Sequence, residues 1–270
     1  MEPTLADGPG RKDDTMVDKK SDPKSDPKSG RKNATGGENV TFQVSIGEAG
    51  LSMGSVVHIP QISRGLAICA HASAGDRFIP RNKFVAEQLN AAGYATIAVD
   101  LFTSDEAGDR INIFNIELLA SRVTLVAKWA ASHARLRGLP VALIGSNTAA
   151  AAVLKAATHL GDQVQAIISR GGRPDLASDI LEDVLAPTLL IVGRDDTPVV
   201  SMNEWVLPRL RTVHNMSVIE GSDHLFEEDG ALQKVADLSI AWLERFLNSL
   251  TRPSSSWKST YMTVDQAYII

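Results

Sequence analysis

From Val40 onward, short runs of β-branched and other apolar residues alternate with longer stretches whose apolar residues recur at helical spacing. Such alternation dictates a mostly parallel sheet with helices on both faces. Eight strands are expected: Val40–Ser45, Met53–Ile59, Leu66–Ala70, Ala95–Val99, Val141–Ile144, Val164–Ser169, Thr188–Val192 and Ser217–Ile219. Between them, Phe84, Val85, Leu89 and Ala92 share one helical face, as do Leu119, Val123, Val126 and Ala130, and as do Leu232, Val235, Ala236, Leu243 and Phe246. The first two strands have no helix between them and should pair antiparallel at one edge, whereas strand and helix alternate from the third onward.

One α/β domain accounts for residues 39–250. Residues 1–38 differ in kind: they hold six residues of the apolar set against eight basic and eight acidic ones, and they repeat Ser-Asp-Pro-Lys at 21–24 and 25–28. Such a segment buries too little apolar surface to offset its ordering entropy, so it reads as a disordered charged tail, with a docking arm as the alternative. Residues 251–270, opening Thr251-Arg252-Pro253, read as a second tail. The net charge of −5 gives no basis for phosphate-backbone binding, so no nucleic-acid partner is expected. No apolar run reaches the ~18–20 residues of a membrane helix, and no apolar stretch of a secretory signal stands at the start. With a single cysteine, Cys69, the chain can form no internal disulfide. These features point to the cytoplasm, with no membrane partner.

A sheet of this kind invites a search for a nucleophile elbow, a Ser within Gly-x-Ser-x-Gly at a tight strand-to-helix turn. The literal pattern occurs at Gly50-Leu51-Ser52-Met53-Gly54, but a strand follows it, so Ser52 belongs to a hairpin. The right context lies after Val141–Ile144, where Gly145-Ser146-Asn147-Thr148-Ala149 leads into an Ala-rich helix. In that register the tip is Asn147, with the small residues Gly145 and Ala149 two positions to either side. The seventh strand runs into Gly193-Arg194-Asp195-Asp196, and the eighth into Gly221-Ser222-Asp223-His224. The order of elbow, acid and His suits a triad, with Asp196 preferred over Asp195.

These segments, together with His71-Ala72-Ser73-Ala74-Gly75, Ile79-Pro80-Arg81-Asn82, Val99-Asp100-Leu101-Phe102-Thr103, Ser169-Arg170-Gly171-Gly172-Arg173-Pro174-Asp175 and His224-Leu225-Phe226-Glu227-Glu228, resemble the dienelactone-hydrolase type of α/β hydrolase. The resemblance is to the small lidless subgroup associated with phosphoribosyltransferase domains. It implies an α/β-hydrolase fold, a hydrolase of carboxylic ester bonds, and an elbow reading Gly-Ala-Ser-Thr-Gly. Here Asn147 stands where that pattern has Ser, and Ala149 where it has the second Gly.

An amide supplies no hydroxyl for His224 to deprotonate, so acyl transfer by the ordinary route is not expected. Loss of the nucleophile alone lowers kcat by about 10⁶ in a well-studied triad enzyme. Asn nevertheless tolerates the positive φ that an elbow requires. The leading expectation is therefore a pseudo-hydrolase that binds a small carbonyl or ester-like ligand or a partner. The alternative is a hydrolase in which His224, oriented by Asp196, activates water, or in which Asn147 is converted to Asp and attacks as a carboxylate. Oxyanion donors are expected at the backbone N–H groups of Thr148 and Ala72. Arg170 and Arg173 are candidates for an anionic substrate group. Ser146 is expected to point away from His224, and no metal or other cofactor is indicated. The short interval between Ser169 and Thr188 leaves no room for a cap domain, so the pocket should be open and suited to small acyl groups.

Overall fold

The central apolar runs are strands that bury side chains on both faces of one sheet, while the edge strands are only partly covered. In the computed structural model, which describes residues 39–47, 51–103, 105–106 and 112–247, the strands are β1 (Val40–Ile46), β2 (Met53–Ile59), β3 (Leu66–His71), β4 (Ala95–Asp100), β5 (Val141–Asn147), β6 (Val164–Gly172), β7 (Thr188–Gly193) and β8 (His214–Ile219). Every residue of β3, β4 and β7 is buried, as expected of strands covered by helices on both sides. The expected tails, 1–38 and 251–270, lie outside the described residues.

The eight strands are ordered β1-β2-β4-β3-β5-β6-β7-β8. The hairpin β1–β2 is antiparallel, β2 also runs antiparallel to β4, and the remaining pairs are parallel. The helices are α1 (Pro80–Ala91), α2 (Ile116–Ser132), α3 (Ala149–Leu160), α4 (Thr197–Val206) and α5 (Ala231–Phe246). Helices α1 and α5 cover one face, where Val85, Leu89, Val235 and Leu243 pack on Cys69, Ile144, Ile168 and Ile191. Helices α2 and α3 cover the other, with Leu119, Val123, Val153 and Leu154 against Ile68, Leu143 and Ile167. Between β6 and β7 stand only two short 3-10 turns, Pro174–Ala177 and Leu181–Asp183, so no cap domain interrupts the chain there. Among the described residues no helix is long and apolar enough to cross a membrane.

Parallel strands deliver all their following loops to one edge, and in this sheet that edge carries every candidate site residue. Two tethers shape it. Asp100, at the end of β4 and 1% exposed, accepts from the backbone N–H of Gly75 at 2.6 Å and of Arg77 at 2.9 Å, and pairs with the Arg77 guanidinium. It thereby fixes the loop after β3. Arg122 of α2, also buried, donates to the Leu101 carbonyl at 2.5 Å and grips Glu106, whose carboxyl this bond pulls down to about 2.

Helix α3 is buried along most of its length, from Ala149 to Ala157, and its first four residues are alanines with no exposed surface. Small side chains let it approach β5 so closely that a Cβ on Gly145 would stand 2.4 Å from the Ala149 carbonyl oxygen. Gly145→Ala should therefore destabilise the protein by about 1–3 kcal/mol through overpacking, read as a fall in the urea midpoint. An unchanged midpoint would show that the turn tolerates a wider gap.

Candidate active site

The strand-to-helix turn is built on an uncommon backbone. Asn147 closes β5 with φ at 49°, and Thr148 then caps α3 with helical dihedrals. Positive φ in a non-glycine residue costs about a kilocalorie per mole or more, and Asn bears it better than most. The Asn147 carbonyl is held by the Arg173 N–H at 2.9 Å, while its side chain is exposed at the tip. Thr148 is buried, and Ala72, also buried, follows β3, the strand that neighbours β5. Both proposed oxyanion donors therefore border the elbow.

His224 reaches the same edge from beyond β8. Its Nδ1 donates to Asp196 Oδ2 at 2.6 Å. Asp196 is held in turn, because its other oxygen, Oδ1, accepts from the Val199 N–H at 3.3 Å and caps the N-terminus of α4. Asp195 is exposed and, among the described residues, makes no side-chain contact with His224. With a carboxylate accepting at Nδ1, the imidazole presents the lone pair of Nε2, which can accept a proton from water or a hydroxyl.

The end of β6 joins the two halves. A Cβ on Gly171, which has φ of 52°, would lie 2.4 Å from the His224 carbonyl oxygen, so only glycine admits the His224 segment so close. The next residue, Gly172, pairs with Asn147 across the β5–β6 ladder. His224 and Asn147 thus sit against adjacent residues of one strand. Phe226, whose φ is 57° and whose ring is fully buried, anchors the far side of the His224 segment.

Each of the two arginines has a protein partner. Arg173 forms a two-pronged bond with Asp175 at 2.9 and 2.8 Å. Arg170 is 6% exposed and turns under the sheet edge to Asn82 of α1. Ser52 is exposed in the residue before β2, in the hairpin. Sequence reasoning gave no role to Asp100, Asn82 or His71. A polar residue closing an otherwise apolar buried strand was the available signal for Asp100 and His71. Among the described residues no group of three or more His, Cys, Asp or Glu side chains could hold a metal ion.

An eight-stranded sheet with this crossover pattern, an elbow after β5, an acid after β7 and a His after β8 defines an α/β hydrolase. The dienelactone hydrolase of Anabaena variabilis superposes with a TM-score of 0.74 at 40% identity, over 78% of this chain and 100% of that one. The chain belongs to the dienelactone-hydrolase-like family of α/β hydrolases. Est1E from Butyrivibrio proteoclasticus shares the fold at 15% identity and a TM-score of 0.64, over 75% of this chain and 98% of that one. A Mycobacterium tuberculosis protein, Rv0571c, which carries a phosphoribosyl transferase name, is 43% identical over 198 residues, or 73% of this chain. The match spans 44% of that relative, so this chain corresponds to less than half of it. No family model matches the chain.

The double duty of Asp196 separates two substitutions. Asp196→Ala removes cap and partner together and should cost about 1–2 kcal/mol of stability. Asp196→Asn keeps a capping oxygen but turns its NH₂ toward Nδ1, so His224 should switch to the tautomer protonated at Nε2. Nitrogen-15 NMR of the imidazole reads that switch, and an unchanged tautomer would mean that Asp196 does not orient the ring.

Proposed function

We propose that this protein is a dienelactone-hydrolase-fold pocket that binds a small carbonyl or ester-like ligand and forms no acyl-enzyme. The observation that carries the reading is the combination of an oriented His224–Asp196 pair with an amide side chain at a fully formed elbow. In this reading the ligand carbonyl oxygen accepts from the backbone N–H groups of Thr148 and Ala72, and Asn147 and His224 offer polar contacts beside it. Covalent transfer would need a nucleophilic side chain at the tip, and the Asn147 amide is not one.

A second reading draws support from His224 itself, whose side chain is 36% exposed and whose Nε2 has no protein partner among the described residues. Water at Nε2 could lose a proton to the ring and attack the carbonyl directly, releasing the acid and the alcohol. Hydrolysis of the Asn147 amide to Asp would instead create a carboxylate nucleophile, and a one-dalton gain in the elbow peptide distinguishes that case. The relatives named as phosphoribosyl transferases support a context in which this unit works beside such a module, whose named activity would reside in the part of those proteins outside the match. The lone cysteine, buried in the α1–α5 face with its thiol pushed up to about 12, suits a reducing cytoplasm.

Restoring the hydroxyl tests the proposal. Asn147→Ser, alone and with Ala149→Gly, should hydrolyse short-chain aryl esters at least about a hundredfold faster than the parent. Parent turnover that vanishes in His224→Ala would instead overturn the pocket-only reading, and with no one-dalton gain in the elbow peptide it would establish water activation.

A further inference from the structure

On the α1–α5 face, the last fully apolar row across the sheet is Ala98, Cys69, Ile144 and Ile168, which pair in register from β4 through β3 and β5 to β6. Side chains two residues on point to the same face. There the register pairs His71 with Asp100 and Ser146 with Arg170, and one further step along the β3–β5 pairing of Ala70 with Gly145 sets His71 beside Ser146. A polar row, Asp100–His71–Ser146–Arg170, therefore runs directly beneath the loop after β3 and the elbow.

Two members of this row are not satisfied by the protein. His71 is 5% exposed, and neither ring nitrogen has a hydrogen-bond partner among the described residues. Arg170, 6% exposed, spends one N–H on Asn82 Oδ1, and Asn82 is itself anchored by donating to the Asp76 carbonyl at 2.7 Å. The neighbouring cations are already matched, Arg77 by Asp100 and Arg81 by Glu227. Arg170 has no carboxylate bonded to it among the described residues. The Asp76 carboxylate acts on Arg170 through space without bonding to it, so the buried guanidinium keeps unused N–H groups beside an imidazole without a partner, and a bound anion would satisfy both. Burial and the surrounding guanidiniums hold His71 down at about 3, so the ring is neutral and offers one N–H donor. Arg170, although lowered to about 10, keeps its charge at neutral pH.

We propose that Arg170, His71 and Ser146 form a binding site for a compact oxyanion, a phosphate or carboxylate group, under the loop after β3. The guanidinium supplies the charge through its unused N–H groups, the His71 ring and Ser146 hydroxyl donate to the remaining oxygens, and half-buried Ser146 marks the opening to solvent. This site lies on the opposite side of β5's final turn from the Asn147 tip, and it stands whether or not His224 supports hydrolysis.

Isothermal titration of the full chain with inorganic phosphate, acetate and chloride tests the site. Saturable binding of phosphate or of acetate, well above any response to chloride, is expected, and the stronger of the two identifies the group recognised. Arg170→Gln should weaken that binding by about tenfold or more, as loss of a charge-assisted bond implies. Because a buried arginine can also matter for folding, Ser146→Asp provides the second variant: its carboxylate should occupy the anion's place on Arg170 and weaken binding by a similar factor, while the anion-free melting temperature holds or rises. Absence of saturable binding, equal response to chloride, or unchanged affinity in folded Ser146→Asp would each overturn the proposal.

Discussion

Everything at the functional edge depends on one tight approach, that of β5 to the start of α3 through a residue held at positive φ. Gly145 has no side chain because the Ala149 carbonyl occupies its place, and Ala149–Ala152 are small because α3 is buried against the sheet and α2. Given that approach, the chain must reverse at position 147, where φ is 49°. Asn tolerates this backbone, so exchanging a hydroxyl for an amide alters chemistry without dismantling the turn. The positive φ thus falls at position 147, whose side chain is an amide.

The same economy extends to the other half of the site. Asp196 serves both as helix cap and as imidazole partner, so the His224 ring is oriented by a residue that α4 requires for its own stability. Gly171 gives up its side chain so that the His224 segment can lie against β6, next to the residue paired with Asn147. On the underside, polar residues replace apolar ones one row before the sheet ends. The edge thus has two levels, a solvent-facing one at Asn147 and His224 and a buried cationic one at Arg170.

Much of this was legible in the sequence. All eight strands could be read from apolar runs, and their register with glycine-rich strand ends located Asn147, Asp196 and His224. The strands extend further than apolar composition suggests: β5 runs on through Gly145, Ser146 and Asn147, and β6 through Arg170, Gly171 and Gly172, because backbone pairing continues after the apolar side chains stop. Strand order was not legible, since β4 lies between β2 and β3 through long-range pairing that no local pattern encodes. The arginines show a further limit. Spacing put Arg170 and Arg173 at the sheet edge, but their actual partners, Asn82 and Asp175, depend on side-chain direction and on a helix that arrives from elsewhere in the chain.

The central claim is that the elbow is complete in every respect but its attacking atom. Intact-mass measurement after treatment with a fluorophosphonate, which labels only a hydroxyl activated by a neighbouring base, tests this most directly. The account predicts no adduct on the parent protein, a single adduct at position 147 in Asn147→Ser, and loss of that adduct when His224→Ala is added. A stoichiometric adduct on the parent, at Ser146 or any other serine, would contradict it.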